Sequence, residues 1–127
     1  MSQFKKHFTV EEATSLIPRV LAVFERINSV REKINERRDD LEKFHESAPG
    51  NGGGNKSAEF VARSEEIGRL LADLEDEGII VKDVDSGLID FPHIRDDREV
   101  FLCWRIGEKS IAYWHEIEAG YRGRQRL

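Results

Sequence analysis

Apolar residues recur at helical spacing through the first third of the chain. Stepping by four and three residues links Ala13, Ile17, Val20, Phe24, Ile27, Arg31, Ile34, Arg38, Leu41 and His45. This heptad-like seam predicts a helix from about Val10 to about Glu46. Leu16, Leu21 and Val23 widen its first half, whereas Arg31, Arg38 and His45 interrupt its second half. The first half is therefore expected against a broad surface, and the second against a single partner helix. Thr9 and Glu12 stand at reciprocal capping-box positions, and Glu11 adds charge favourable to the helix start. Pro18 lacks an N–H and presses on the carbonyl of Thr14, so a kink or short break is expected there.

A second helical pattern follows from about Ser57 to Glu77, with Phe60, Ile67, Leu70, Leu71 and Leu74 on one face and Gly78 as its C-cap. Between the helices, residues 47–57 read as a flexible Gly-rich loop, which makes the helices antiparallel neighbours. The loop ends in Lys56-Ser57, but the phosphate-loop spacing GxxxxGK[ST] is absent and no strand precedes it. If Phe60 lies near Phe44, the shorter second helix ends near Ile27, leaving the apolar start of the first helix for something else.

After Gly78 the period changes. Short strands are predicted at Ile79–Asp83 and at Leu88–Phe91, the latter stopped by Pro92, with a charged loop from His93 to Arg98. Glu99–Ile106 is apolar on both faces and is placed centrally. Gly107–Ser110 reads as a hairpin turn and Ile111–His115 as its return, followed by a helical turn over 116–120. Residues 119–127 form a basic tail. The expected fold is α+β: a long antiparallel helical hairpin with a small, mostly antiparallel sheet of three to four strands, within one domain spanning 1–127. The sheet packs on the first half of helix one.

Composition bounds the chemistry. Charged residues make up 35% and hydrophobic residues 39%, which suits an elongated helical protein or an oligomer. The net charge of -5 disfavours nucleic acid and anionic membranes as partners. A single cysteine, Cys103, excludes an internal disulfide and every multi-cysteine zinc pattern. No signal-peptide core or membrane-length apolar run is present, so a cytoplasmic protein is the expectation.

Candidate chemistry gathers after Gly78. If Glu108-Lys109 is the tip of a two-residue hairpin, Trp104 faces Tyr113 and Leu102 faces His115. Cys103 then lies on the opposite face from His115, as a buried, inert thiol rather than a nucleophile. With a reversal at Asp96-Asp97, Asp90 lies beside Leu102, and Asp90 and His115 share a face about two strand spacings (~9–10 Å) apart. A polar site at the sheet end would draw on Asp83, Asp90, His93, Glu108, His115 and Glu118. Carboxylate with imidazole is chemistry for a divalent metal or for acid–base catalysis. The competing reading has Asp83 and Asp90 accepting turn hydrogen bonds and His115 as a half-buried strand residue. A second candidate is an anion site of Arg105, Arg122, Arg124 and Arg126 with Tyr121 as a stacking platform. Against it, the tail arginines are expected to pair with acidic helix two or a neighbouring subunit.

Three segments carry a resemblance. VKDVDSGLIDFP, VFLCWRIGE and YWHEIEAGYRGR, with the opening FTVEEATSLIP, resemble a bacterial family catalogued as domain of unknown function 2203. The resemblance covers most of the chain and implies a small bacterial cytosolic protein; it supplies no catalytic residues and no cofactor. The leading reading is an interaction or structural protein, homodimeric through the arm or a sheet edge, with Arg31 and Arg38 setting partner choice. The alternative is a metal- or small-ligand-binding protein, possibly a hydrolase, with its site around His115.

Overall fold

Thr9 starts the first helix as its sequence predicts. In the computed structural model the Thr9 hydroxyl accepts from the Glu12 N–H at 3.0 Å, and the Glu12 carboxylate accepts from the Thr9 N–H at 3.1 Å. The structure describes the backbone of residues 3–47 and 53–127 and the side chains of 3–36 and 58–127. Helix α1 spans Val10–Ser47 and runs through Pro18 without a break. Helix α2 spans Gly53–Asp76, so it begins inside the stretch expected to be loop. Residues 48–52 and the side chains of Arg38, Leu41, Phe44, His45, Lys56 and Ser57 lie outside the described residues. No described helix is long and apolar enough to cross a membrane.

The helices are antiparallel neighbours, joined by Arg19 to Glu77 and by Arg26 to Glu66, each at 2.8 Å. Helix α2 therefore ends beside Arg19, about two turns nearer the start of α1 than Ile27. Phe60 does not line the packed face. It and Val61 are exposed, whereas Leu74 is fully buried. Arg31 reaches Asp85 in the turn after the first strand. That seam arginine is thus engaged within the chain.

The sheet has five antiparallel strands in sequence order, one or two more than expected. They are β1 (Ile80–Asp83), β2 (Leu88–Arg95), β3 (Arg98–Arg105), β4 (Tyr113–Glu116) and β5 (Gln125–Arg126). The run apolar on both faces, β3, is central as expected. Pro92 does not stop β2. Its carbonyl accepts from the Phe8 N–H at 2.7 Å, away from β3. A strand residue points its N and C=O to the same side, so the missing N–H costs β3 no bond. The expected loop at 93–98 is instead paired strand, closed by a two-residue turn in which Asp96 and Asp97 both have positive φ (50° and 62°).

One face of the sheet carries Ile89, Phe91, Val100, Leu102, Trp104 and Trp114. These join Ala13, Val20, Phe24 and Ile27 of α1 in one buried cluster, so the apolar half of α1 does pack on the sheet. Phe8 plugs one end, edge-on to Phe91 with ring centroids 5.2 Å apart.

Candidate metal centre

The centre of the other face is also closed to water, with different chemistry, although Ile94 and Arg105 at its ends are exposed. Asp90, Phe101, Cys103 and His115 alternate with the core residues along β2, β3 and β4, and each is at most 2% exposed. Cross-strand pairing explains the arrangement. Asp90 pairs with Cys103, and His115 pairs with Phe101, two residues along β3. The imidazole reaches diagonally past Cys103, so His115 Nε2 lies 3.1 and 3.2 Å from the two Asp90 oxygens. These donors were expected ~9–10 Å apart on strand spacing alone.

The register corrects the expected one. Leu102 pairs with Trp114 rather than His115, and Cys103 with Tyr113. Residues 106–112 are not a two-residue hairpin: Gly107 turns at φ 105°, and β4 begins only at Tyr113. A one-residue slip moves side chains across the sheet, so Cys103 joins His115 instead of facing away. The sulfur, one carboxylate oxygen and one imidazole nitrogen all lie within 4.8 Å of one another.

The protons follow from the partners. His115 Nδ1 lies 2.7 Å from the Glu116 carbonyl, which only accepts, so Nδ1 carries a hydrogen. Nε2 faces a carboxylate. Burial by itself would lower the His115 pKa; the hydrogen bonds to Asp90, Cys103 and the Glu116 carbonyl outweigh it and raise the pKa to about 10. Asp90 and His115 therefore form a buried carboxylate–imidazolium pair. Lys82 adds a further cation, 4.0 Å from Asp90 and 5.0 Å from the centre of the Phe101 ring.

Arg124 closes the Cys103 side. Its guanidinium lies 3.9 Å from the sulfur and makes paired bonds of 3.0 and 2.8 Å to Glu108. Burial works against the charge of Arg124, but the Glu108 carboxylate more than compensates and holds it protonated. Glu108 is fixed in turn by the Arg105 N–H at 2.8 Å. Among the described residues, no buried side-chain nitrogen or oxygen lacks a partner.

The other expected site residues lie elsewhere. His93 points to the opposite side and bonds the Phe8 carbonyl at 2.6 Å. Asp83 holds its own turn through Ser86 Oγ at 2.6 Å, the bland expectation, whereas Asp90 serves no turn. Glu118 is exposed beside a shallow cavity of about 340 Å³ with Glu99 and Glu116. Of the expected anion set, Arg124 turns inward to Glu108, not to helix two. Arg105, Arg122 and Arg126 are exposed, and Arg105 reaches the Tyr121 hydroxyl at 3.5 Å. A cavity of about 400 Å³ beside Phe4, Lys6, Gly78 and Pro92 receives none of these residues.

Cys103 and Lys82 are the members that the sequence reading left out. One signal could have placed Cys103. Trp104 and Trp114 both belong in a core, and only even-to-even pairing of β3 with β4 puts both on one face. That register turns Cys103 and His115 together to the other side.

Neither a curated protein nor a solved structure matches the chain. The family described as uncharacterized conserved protein (DUF2203) matches residues 6–127, and with VFLCWRIGE and YWHE supplying the central and fourth strands of the sheet, the chain belongs to that family.

Proposed function

We propose that this is a metal-binding protein whose centre is built from Asp90, Cys103 and His115. The observation that carries the reading is convergence: one oxygen, one sulfur and one nitrogen donor, from three adjacent strands, lie within 4.8 Å of one another in a buried site. The set suits a borderline-soft cation such as Zn²⁺ or Co²⁺. With bonds of roughly 2.0–2.3 Å, tetrahedral donors stand roughly 3.3–3.8 Å apart, within reach of side-chain adjustment. The Nδ1–H bond to the Glu116 carbonyl supports the reading too, because it fixes the tautomer that offers Nε2. Binding exchanges a dication for the Nε2 proton and the thiol proton. The charge of the centre is then unchanged beside Lys82 and Arg124.

Nucleophilic catalysis by Cys103 has less support. A relay needs one ring nitrogen for the nucleophile and the other for the carboxylate. Here Nδ1 serves a carbonyl, so Cys103 and Asp90 share Nε2 and no second nitrogen is left for a relay.

Titrating the metal-free chain with Co²⁺ tests the proposal. The expected result is a sulfur-to-cobalt charge-transfer band with release of protons. Cys103→Ser loses the band, and Asp90→Asn and His115→Gln weaken binding. Cobalt that stays in its aqueous form, or binds all three variants as it binds the native chain, sinks the reading.

A homodimer through the helical arm is the second reading, and one observation favours it: adjacent Phe60 and Val61 are both exposed on α2. Sedimentation at micromolar concentration should give twice the chain mass. A monomer mass removes this reading and leaves the metal proposal untouched.

A further inference from the structure

We infer that the C-terminal segment from Tyr121 to Leu127 is a latch that opens as a unit and controls access to the Asp90–Cys103–His115 centre. The inference rests on the metal-binding reading for what passes through, but not for whether the segment opens.

The segment folds back as the 3₁₀ turn Tyr121–Gly123 followed by β5, which pairs with β4 through only two residue pairs, Tyr113–Arg126 and Trp114–Gln125. One more backbone bond, from the Leu127 N–H to the Ala112 carbonyl at 2.9 Å, ends it. The turn buries no residue, and Gln125, Arg126 and Leu127 are exposed. No apolar anchor therefore ties this stretch to the core, in contrast to β2, β3 and β4. A segment with few buried apolar groups opens at a small fraction of the global unfolding free energy.

What holds it is the side chain of Arg124, only 12% exposed. The guanidinium stacks 3.9 Å from the Tyr113 ring centre and 4.4 Å from that of Tyr121. It grips Glu108 with both nitrogens and lies against the Cys103 sulfur. One side chain thus both fastens the segment and covers the thiol. Releasing the Arg124–Glu108 grip uncovers the Cys103 sulfur, one of the three donors, without disturbing the apolar face.

Cys103 is the sole cysteine among the 127 residues, so its reaction with a thiol reagent reports access to the centre in the metal-free chain. Arg124→Gln and Glu108→Gln should each react about tenfold faster than the native chain, while the global unfolding midpoint moves little. Arg124→Lys, which keeps a cation over Tyr113 and Tyr121 but cannot grip Glu108 with two nitrogens, should react at a rate between those of Arg124→Gln and the native chain, a graded order that a merely damaged fold would not give. Rates unchanged in Arg124→Gln and Glu108→Gln overturn the latch. So does acceleration that only tracks a loss of global stability. Stopped-flow Co²⁺ uptake in the same variants separates the two proposals. Faster labelling with no cobalt band at any concentration keeps the latch and removes the metal reading. Unchanged labelling with a normal band removes the latch and keeps the metal reading.

Discussion

The middles of the two faces of this sheet are equally dry and are built on opposite principles. Toward α1, Ile89, Phe91, Leu102, Trp104 and Trp114 bury apolar area, a non-directional interaction that several residue choices satisfy. Away from α1, Asp90 and His115 are each 1% exposed, yet their burial is tolerated only because every polar atom finds a partner. The first face is specified by volume and the second by pairing. Removing one group from the first leaves a cavity, whereas removing one from the second leaves a buried charge without its partner.

The largest effect should come from the apolar face. Phe91→Ala empties a fully buried site against Phe8 and should cost about 4 kcal/mol, read from urea unfolding. On the polar face, Asp90→Ala strands the imidazolium and should cost about 3 kcal/mol. The double replacement Asp90→Leu, His115→Phe should recover most of that loss, which no second change can do for Phe91→Ala; if it recovers nothing, the faces obey one rule after all. The third effect is pH. The folded pKa of His115, about 10, is raised above its ordinary 6.5. Its contribution is therefore full below about pH 6.5 and is lost as pH rises toward 10. Metal-free protein should melt at progressively lower temperature over that alkaline range, and Asp90→Leu, His115→Phe should flatten the trend. The smallest effect lies away from both faces. Thr9→Ala removes one half of the capping box and should cost about 1 kcal/mol, with no dependence on the state of the centre.

The hairpin and the central strand were legible because hydrophobic period is a local signal. The register was not, because it is set by a connection rather than by a pattern. Two positions are instructive here. The reversal at Asp96-Asp97 is where it was expected and sets Asp90, placed close to Leu102, opposite the adjacent Cys103, whereas His115, expected opposite Leu102, pairs with Phe101. Both therefore lie on the face of Cys103 and Phe101, so their shared face survived while Cys103 changed sides relative to them. Their 3.1 Å approach could not be read from strand spacing, because it depends on the diagonal reach of one imidazole. The role of Arg124 was hidden for another reason. Charge counting pointed the tail arginines at acidic α2, but backbone pairing of β5 with β4 delivers Arg124 to Glu108 first. Lys82 reads in sequence as an exposed strand lysine, and only its ammonium group reaches Asp90.

The two described ends of the chain meet on one side of the sheet. Near the start, Phe4 lies 5.3 Å ring to ring from Phe101, and its N–H bonds Glu99 at 3.1 Å. Near the finish, Arg124 rests on Cys103, two positions along the same strand. A hexahistidine purification handle fused at either end would thus carry spare imidazoles to the neighbourhood of Asp90, Cys103 and His115. Fused after Leu127, it would also lengthen the segment that β5 must hold. Metal content measured on such material would report the handle together with the protein. Protein released by a protease that leaves no histidines behind is the right specimen for assay.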